Sequence, residues 1–214
     1  MSRLRLVYCL AALAGTSACQ TASPGKPDEA VPRIVVEEAE AWRTIASERD
    51  SFALDGLPDR WRQALAAGRA ANLSRRIAAE GDLLDPQARL ARAAPAPGSY
   101  RCRYVRPGGR RWASSAQGFC YVGVEGGQLT LATELRGLRF GGYLWEVKGG
   151  ERLVFLGGAV PAGARTPPAY GEDASRDVAG LVERIGEFRY RLTLPEPSPG
   201  TGLTVVELVA APRA

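Results

Sequence analysis

The feature that most restricts how this chain can fold is the pattern after residue 98. Short runs of alternating apolar and polar residues recur there, several separated by paired glycines. Tyr100-Arg101-Cys102-Arg103-Tyr104 and Phe188-Arg189-Tyr190-Arg191-Leu192-Thr193-Leu194 both repeat with period 2, as half-buried strands do. In the second run the alternation predicts one face on the core and one in water. Gly126-Gly127 and Gly149-Gly150 each join two runs, and glycine pairs tolerate the positive φ angles of two-residue hairpin turns. Strands are therefore expected at 99–106, 117–125, 128–134, 139–148, 151–157, 187–194 and 202–210. Leu153-Val154-Phe155-Leu156 is apolar throughout, as in a strand covered on both sides. Val178, Leu181, Val182 and Ile185, between Ser175 and Gly186, instead predict a helix over 176–185.

The front of the chain has a different period. Trp42, Ile45, Ala46 and Arg49 fall at i, i+3, i+4 and i+7, predicting a helix from Val35 to Asp50. Asp55-Gly56-Leu57-Pro58 breaks it, and a second helix starts at Pro58 with Trp61 and Leu65 on one side. Ser74 can cap a third, short helix that holds Ile77 and stops at Gly81. Periodic tryptophans such as Trp42 and Trp61 suit a core better than a ligand groove. A run of Ala and Pro from Ala93 to Gly98 marks the boundary. A strand meander must close or stack to remove its edges. The expected fold class is thus α+β: an N-terminal helical lobe (37–92), then an antiparallel β-barrel or sandwich of about seven strands with one inserted helix (98–212).

Residues 1–18 carry a basic start (Arg3, Arg5), an apolar run (Leu6 to Leu13) and a small-residue end. This is the layout of a secretory signal, too short for a permanent membrane span. Thr16-Ser17-Ala18-Cys19 resembles the lipobox of bacterial lipoproteins, although Thr16 stands where that pattern has an aliphatic residue. The resemblance implies lipidation of Cys19 and a membrane partner reached through an N-terminal lipid anchor. Gln20 after the cysteine implies the outer membrane, with the protein periplasmic. Ordinary cleavage after Ala18, giving a secreted chain, is the other reading. Residues 19–36 supply a flexible tether rich in Thr, Ser, Pro, Gly and charge.

Outside the cytoplasm, cysteines read as disulfides. Cys9 leaves with the leader, so Cys102 and Cys120 remain as an even pair. A hairpin centred on residue 111 sets them opposite each other, within bonding reach. They lack CxxC spacing, and the chain contains no histidine to join them at a metal.

The absence of histidine also removes the commonest general base and every triad built on it. Phosphate-loop glycine motifs are lacking, and the Gly-Gly pairs read as turn chemistry. No cofactor and no metal site are expected. Of 28 basic residues only Lys26 and Lys148 are lysines, and the arginines are scattered. The +5 formal charge is then a solvated surface and not a nucleic-acid footprint. Glu172, Asp173 and Asp177 beside Tyr170 are the one carboxylate group that suggests chemistry. The first turn of the expected helix accounts for Asp173 and Asp177 without it. Tyr143, Trp145, Phe188 and Tyr190 lie at alternate positions and either line a cavity for a small apolar ligand or fill the core.

Five segments, WRTIASERD (42–50), AEGDLLDP (79–86), GSYRCR (98–103), VFLG (154–157) and LVERIG (181–186), resemble a family of exported alphaproteobacterial proteins. It is the domain of unknown function 4893. The likeness runs over about 40–210, loosely between 106 and 150, and implies an envelope location and a helical front joined to a β-rich back. It implies no activity and no site residue. These readings together lead to the expectation of a non-enzymatic envelope lipoprotein that binds a small ligand or another envelope component. A carboxylate-based hydrolase acting on envelope polymers and a structural partner of an envelope complex are the alternatives.

Overall fold

The computed structural model describes residues 40–108, 112–196 and 202–211; the leader, Cys19 and the tether lie outside the described residues. Helices come first. α1 (Trp42–Ile45) ends where Ala46 turns extended, and Ser47 caps α2 (Glu48–Asp55) by accepting the Asp50 N–H at 3.1 Å. Of the helix expected across 35–50, residues 35–39 lie outside the described residues, and the remainder is two segments, because Ser47 is a better N-cap than a helix-interior residue. α3 (Leu57–Ala70) carries Pro58 in its first turn, α4 covers Ser74–Ala79, and a 3-10 turn (Gly81–Leu84) follows.

Nine strands form the described remainder: β1 (Gly98–Arg106), β2 (Ala113–Ser114), β3 (Gly118–Glu125), β4 (Gln128–Leu135), β5 (Leu138–Glu146), β6 (Arg152–Ala159), β7 (Asp177–Gly186), β8 (Arg189–Pro195) and β9 (Leu203–Ala210). Each strand from β3 to β9 pairs antiparallel with its neighbour in sequence, and β1 pairs with both β3 and β9. Eight strands thus close into an up-and-down barrel, with β2 added against the end of β1. Closure removes every long edge, which a sandwich would leave exposed.

The expected helix over 176–185 is the strand β7, paired with β6 and β8. Val178 and Val182 face the barrel interior, while Ala179 and Ile185 pack under the helices. A strand covered on both faces is apolar on both, so its spacing also satisfies a helical stripe; its β-branched residues favour the strand.

The interior is filled by alternate residues of each strand, among them Tyr100, Leu131, Phe140, Leu144, Phe155, Val182, Leu192 and Leu208. Not every glycine pair is a turn. Gly142 and Gly157 are partners in mid-strand, and a Cβ on either would fall 2.2 Å from a backbone oxygen of the other strand. Their missing side chains leave room inside for the rings of Phe140 and Phe155, whose centroids are 5.1 Å apart. Burying rings of this kind contributes roughly 1.5–3 kcal/mol apiece.

Cys102 and Cys120 are joined in a disulfide inside this core, their Cα atoms 5.9 Å apart. They are diagonal, not directly opposite. Cys102 pairs with Gly118 and Tyr100 with Cys120, a register two residues away from the symmetric pairing.

The helices lie against the outside of the barrel, where Trp42, Leu57, Trp61, Leu65 and Leu83 share one apolar cluster with Val154, Leu156, Ile185 and Val205. Arg191 points outward from β8 into this layer and is 0% exposed, so the face expected in water is buried. Its Nε donates to Glu183 at 2.8 Å; Nη1 donates to the carbonyls of Asp82 and Asp85, and Nη2 to that of Pro86. The guanidinium carbon also sits 5.3 Å from the centre of the Trp61 ring.

The two ends of the barrel differ. At one, the chain before β1 passes over the opening: Leu90 N–H donates to Arg184 O, Ala93 N–H donates to Gly150 O, and fully buried Ala93 joins the core. At the other end, strand termini meet α2 around a cavity.

Candidate functional site

The cavity measures about 1390 Å³ and lies where β5, β7 and β9 begin and β1, β6 and β8 end. Its floor is the mouth of the barrel core, made by Leu138, Phe140, Val178 and Leu194. α2 contributes one wall through Glu48, Arg49, Asp50 and Phe52, and the β6–β7 connection contributes another.

Charge is concentrated at the rim. Arg106 donates from Nε to Thr204 Oγ1 at 2.9 Å and pairs with Glu196 Oε1 at 3.2 Å. Arg60, on α3, donates from Nη1 to the Glu196 carbonyl at 3.2 Å and has no carboxylate partner among the described residues. Two guanidinium groups therefore converge on one residue, whose side chain is 38% exposed. Elsewhere on the rim Arg49 pairs with Asp50, Arg139 with Glu134 and Arg176 with Asp173, while Glu48 and Asp177 make no ion pair among the described residues.

The wall holding α2 is fixed by Tyr170. Its hydroxyl donates to Asp50 Oδ2 at 2.6 Å and accepts the Ser47 N–H at 2.9 Å, tying the β6–β7 connection to the cap of α2. Burial, and then the hydrogen bond to anionic Asp50, raise the Tyr170 hydroxyl above its ordinary pKa.

The carboxylates flagged in the sequence hold this same connection together. Glu172 accepts the Ala169 N–H at 2.9 Å, and Asp177 accepts that of Gly171 at 2.9 Å. Asp173 accepts both the N–H and the hydroxyl of Ser175, which holds its carboxyl below the usual range. They close turns of the loop, and no helix begins there to explain them. Among the described residues no group of three or more Asp, Glu or Cys is placed to hold a metal ion.

None of the four aromatics expected to line a cavity lines this one. Tyr143 points out of the barrel, 36% exposed, and donates to Glu125 at 2.9 Å. Trp145, two residues on and so on the same outer face, packs against the helical cluster. Phe188 sits at the β7–β8 turn, 62% exposed. Tyr190 alone faces inward. It lies at the crossed end, edge-on to Tyr100 with ring centres 6.0 Å apart. The residues that do form the floor, Leu138 and Phe140, occupy the opposite phase of β5. The even-numbered set Leu138, Phe140 and Leu144 carried that signal, obscured by the glycine at 142. The arginines of the rim had no sequence signal, since their convergence depends on barrel closure.

No curated protein and no solved structure matches the chain. The family model of the domain of unknown function DUF4893 does, over residues 42–208, which spans the helices and all but the last residues of the barrel. On that match the chain belongs to the DUF4893 family.

Proposed function

We propose that the protein is a non-enzymatic binding protein of the cell envelope, holding a small and largely apolar ligand at the open end of its barrel. The cavity carries this reading: it continues the apolar interior at one end while the other is crossed by the chain. Small-molecule sites are concave, mostly apolar and furnished with a few placed polar groups, as here. The signal-like leader and the lipobox-like Thr16-Ser17-Ala18-Cys19 support export and anchoring to the outer membrane through Cys19. The hydrolase reading lacks support in the geometry, since Glu172, Asp173 and Asp177 are each engaged by loop donors.

Native mass spectrometry of the protein extracted from its own membranes tests the reading. The expected result is a chain beginning at acylated Cys19, with Cys102 and Cys120 joined and a small molecule retained. A ligand-free chain whose thermal midpoint no apolar compound shifts would remove the container reading. An unacylated chain starting at Cys19 would remove the anchor.

A further inference from the structure

We infer that the cavity takes a single-chain amphiphile with an anionic head, the head held by Arg60 and Arg106 and the chain laid over the barrel mouth. This rests on the container reading above and narrows it to a class of ligand.

The two guanidinium groups meet at Glu196, Arg60 through its carbonyl and Arg106 through its carboxylate. One carboxylate between two arginines leaves a local excess of positive charge. Arg60 is half-buried, and its single hydrogen bond among the described residues uses one of five N–H donors. A carboxylate or phosphate supplies the acceptors that these donors lack, in the geometry a guanidinium suits best.

On the α2 and β7 side, Arg49 and Arg176 are each paired with a carboxylate, and two further carboxylates stand beside them. Glu48 and Asp177 line it without an ion-pair partner among the described residues, although Asp177 accepts the Gly171 N–H. An anion is therefore drawn to the Arg60–Arg106 side and repelled from the α2 side, which fixes the head in one place.

The chain of the ligand has a path from there. Thr204, the hydrogen-bond partner of Arg106, is paired across the sheet with Leu194. From Leu194 the apolar floor continues through Val178 and Phe140 to Leu138. At about 1390 Å³ the cavity exceeds the roughly 300–1,000 Å³ typical of small-molecule pockets, room that a compact polar metabolite would not use.

The test titrates the whole mature chain with dodecanoate, dodecyl phosphate, dodecanol, dodecyltrimethylammonium and inorganic phosphate, each below its micelle concentration. Both anionic amphiphiles are expected to bind about tenfold more tightly than dodecanol, as one or two charge-assisted hydrogen bonds provide. Comparing the two anions tells a carboxylate head from a phosphate head. Arg60→Gln should remove the tenfold advantage and leave dodecanol binding unchanged. Leu138→Trp, which fills the floor, should weaken every amphiphile while the far-ultraviolet spectrum stays native. Equal binding of dodecanol and the anions, or no effect of Arg60→Gln, overturns the head-group assignment but leaves the container reading standing. Inorganic phosphate binding as tightly as dodecyl phosphate overturns the chain's part in it. If no amphiphile binds at all, both readings fall.

Discussion

Replacing Arg191 offers a direct test of how the helices are held to the barrel. Arg191→Met keeps much of the aliphatic stem but deletes the guanidinium. Glu183, 4% exposed, would then keep only Arg152 at 3.4 Å, and the carbonyls of Asp82, Asp85 and Pro86 would lose their shared donor. Removing one partner of a buried pair costs about 3–5 kcal/mol, because the remaining charge stays desolvated. In a protein of this size each kcal/mol moves the melting midpoint by roughly 2–4 °C, so a drop on the order of 10 °C is expected. The double variant Glu183→Met, Arg191→Met removes the stranded charge and should recover part of that loss. It should not recover all of it, since the Pro86 carbonyl is left without a donor among the described residues, at about 1–3 kcal/mol for an unsatisfied acceptor, and the Asp82 and Asp85 carbonyls keep only the backbone N–H groups of Asp85 and Ala88. Urea unfolding followed by circular dichroism, with the disulfide intact, gives both numbers. A loss under about 1 kcal/mol for the single variant would refute the reasoning, as would a double variant no better than the single one.

Gly142→Ala should destabilise by about 1–3 kcal/mol or more in the same assay, because its Cβ has only the β6 backbone to meet. Replacing both Cys102 and Cys120 by Ala should cost about 3 kcal/mol from the freed loop of the unfolded chain, read as a lower urea midpoint. Burial pushes the Tyr100 hydroxyl up to about 12 from an ordinary 10, so the folded state keeps a proton that the unfolded state loses. Stability is therefore fully present below pH 10 and declines as pH rises from about 10 toward 12, visible as a falling urea midpoint; a Tyr100→Phe variant should flatten that decline. Tyr170→Phe should leave the barrel intact but raise hydrogen exchange in α2 and the β6–β7 connection, since that hydroxyl joins Asp50 and Ser47 to the loop and its loss leaves the exposed Arg49 bond to the Ala174 carbonyl.

Much of the barrel was readable because its hairpins announce themselves locally. Gly126-Gly127 forms the two-residue turn between Glu125 and Gln128 that paired glycines predict, whereas Gly149-Gly150, also at positive φ, lies in a longer loop between Glu146 and Leu153. Long-range facts were less accessible. Two glycine pairs that resemble those turns, Gly141-Gly142 and Gly157-Gly158, are strand interiors, and what distinguishes them is the approach of β5 to β6. The stripe on 176–185 satisfied a helix because the helical layer buries the second face of β7, a fact no local window contains. Arg191 belongs to the same class. Its place in an alternating run marked it for water, and only the layer formed by α3 and the 3-10 turn makes it a buried cation. The cavity was misplaced for a related reason. The aromatic residues occupy one phase of β5, while Leu138 and Phe140 hold the other, and the two arginines come from separate elements, α3 and β1, to meet at Glu196 just beyond β8.

The ring is sewn shut by the pairing of β1 with β9, from Tyr100 against Ala210 to Val105 against Val205. First and last strands are thus each other's neighbours, and the circle has no complete version without its final eight residues. A growing polypeptide that has not yet released Leu203–Ala210 would offer two raw borders, on β1 and β8, to any strand nearby. Closure is consequently an all-or-nothing event that waits for Leu203–Ala210 to emerge, and a stop ahead of them would yield a sticky fragment instead of a slightly shorter barrel.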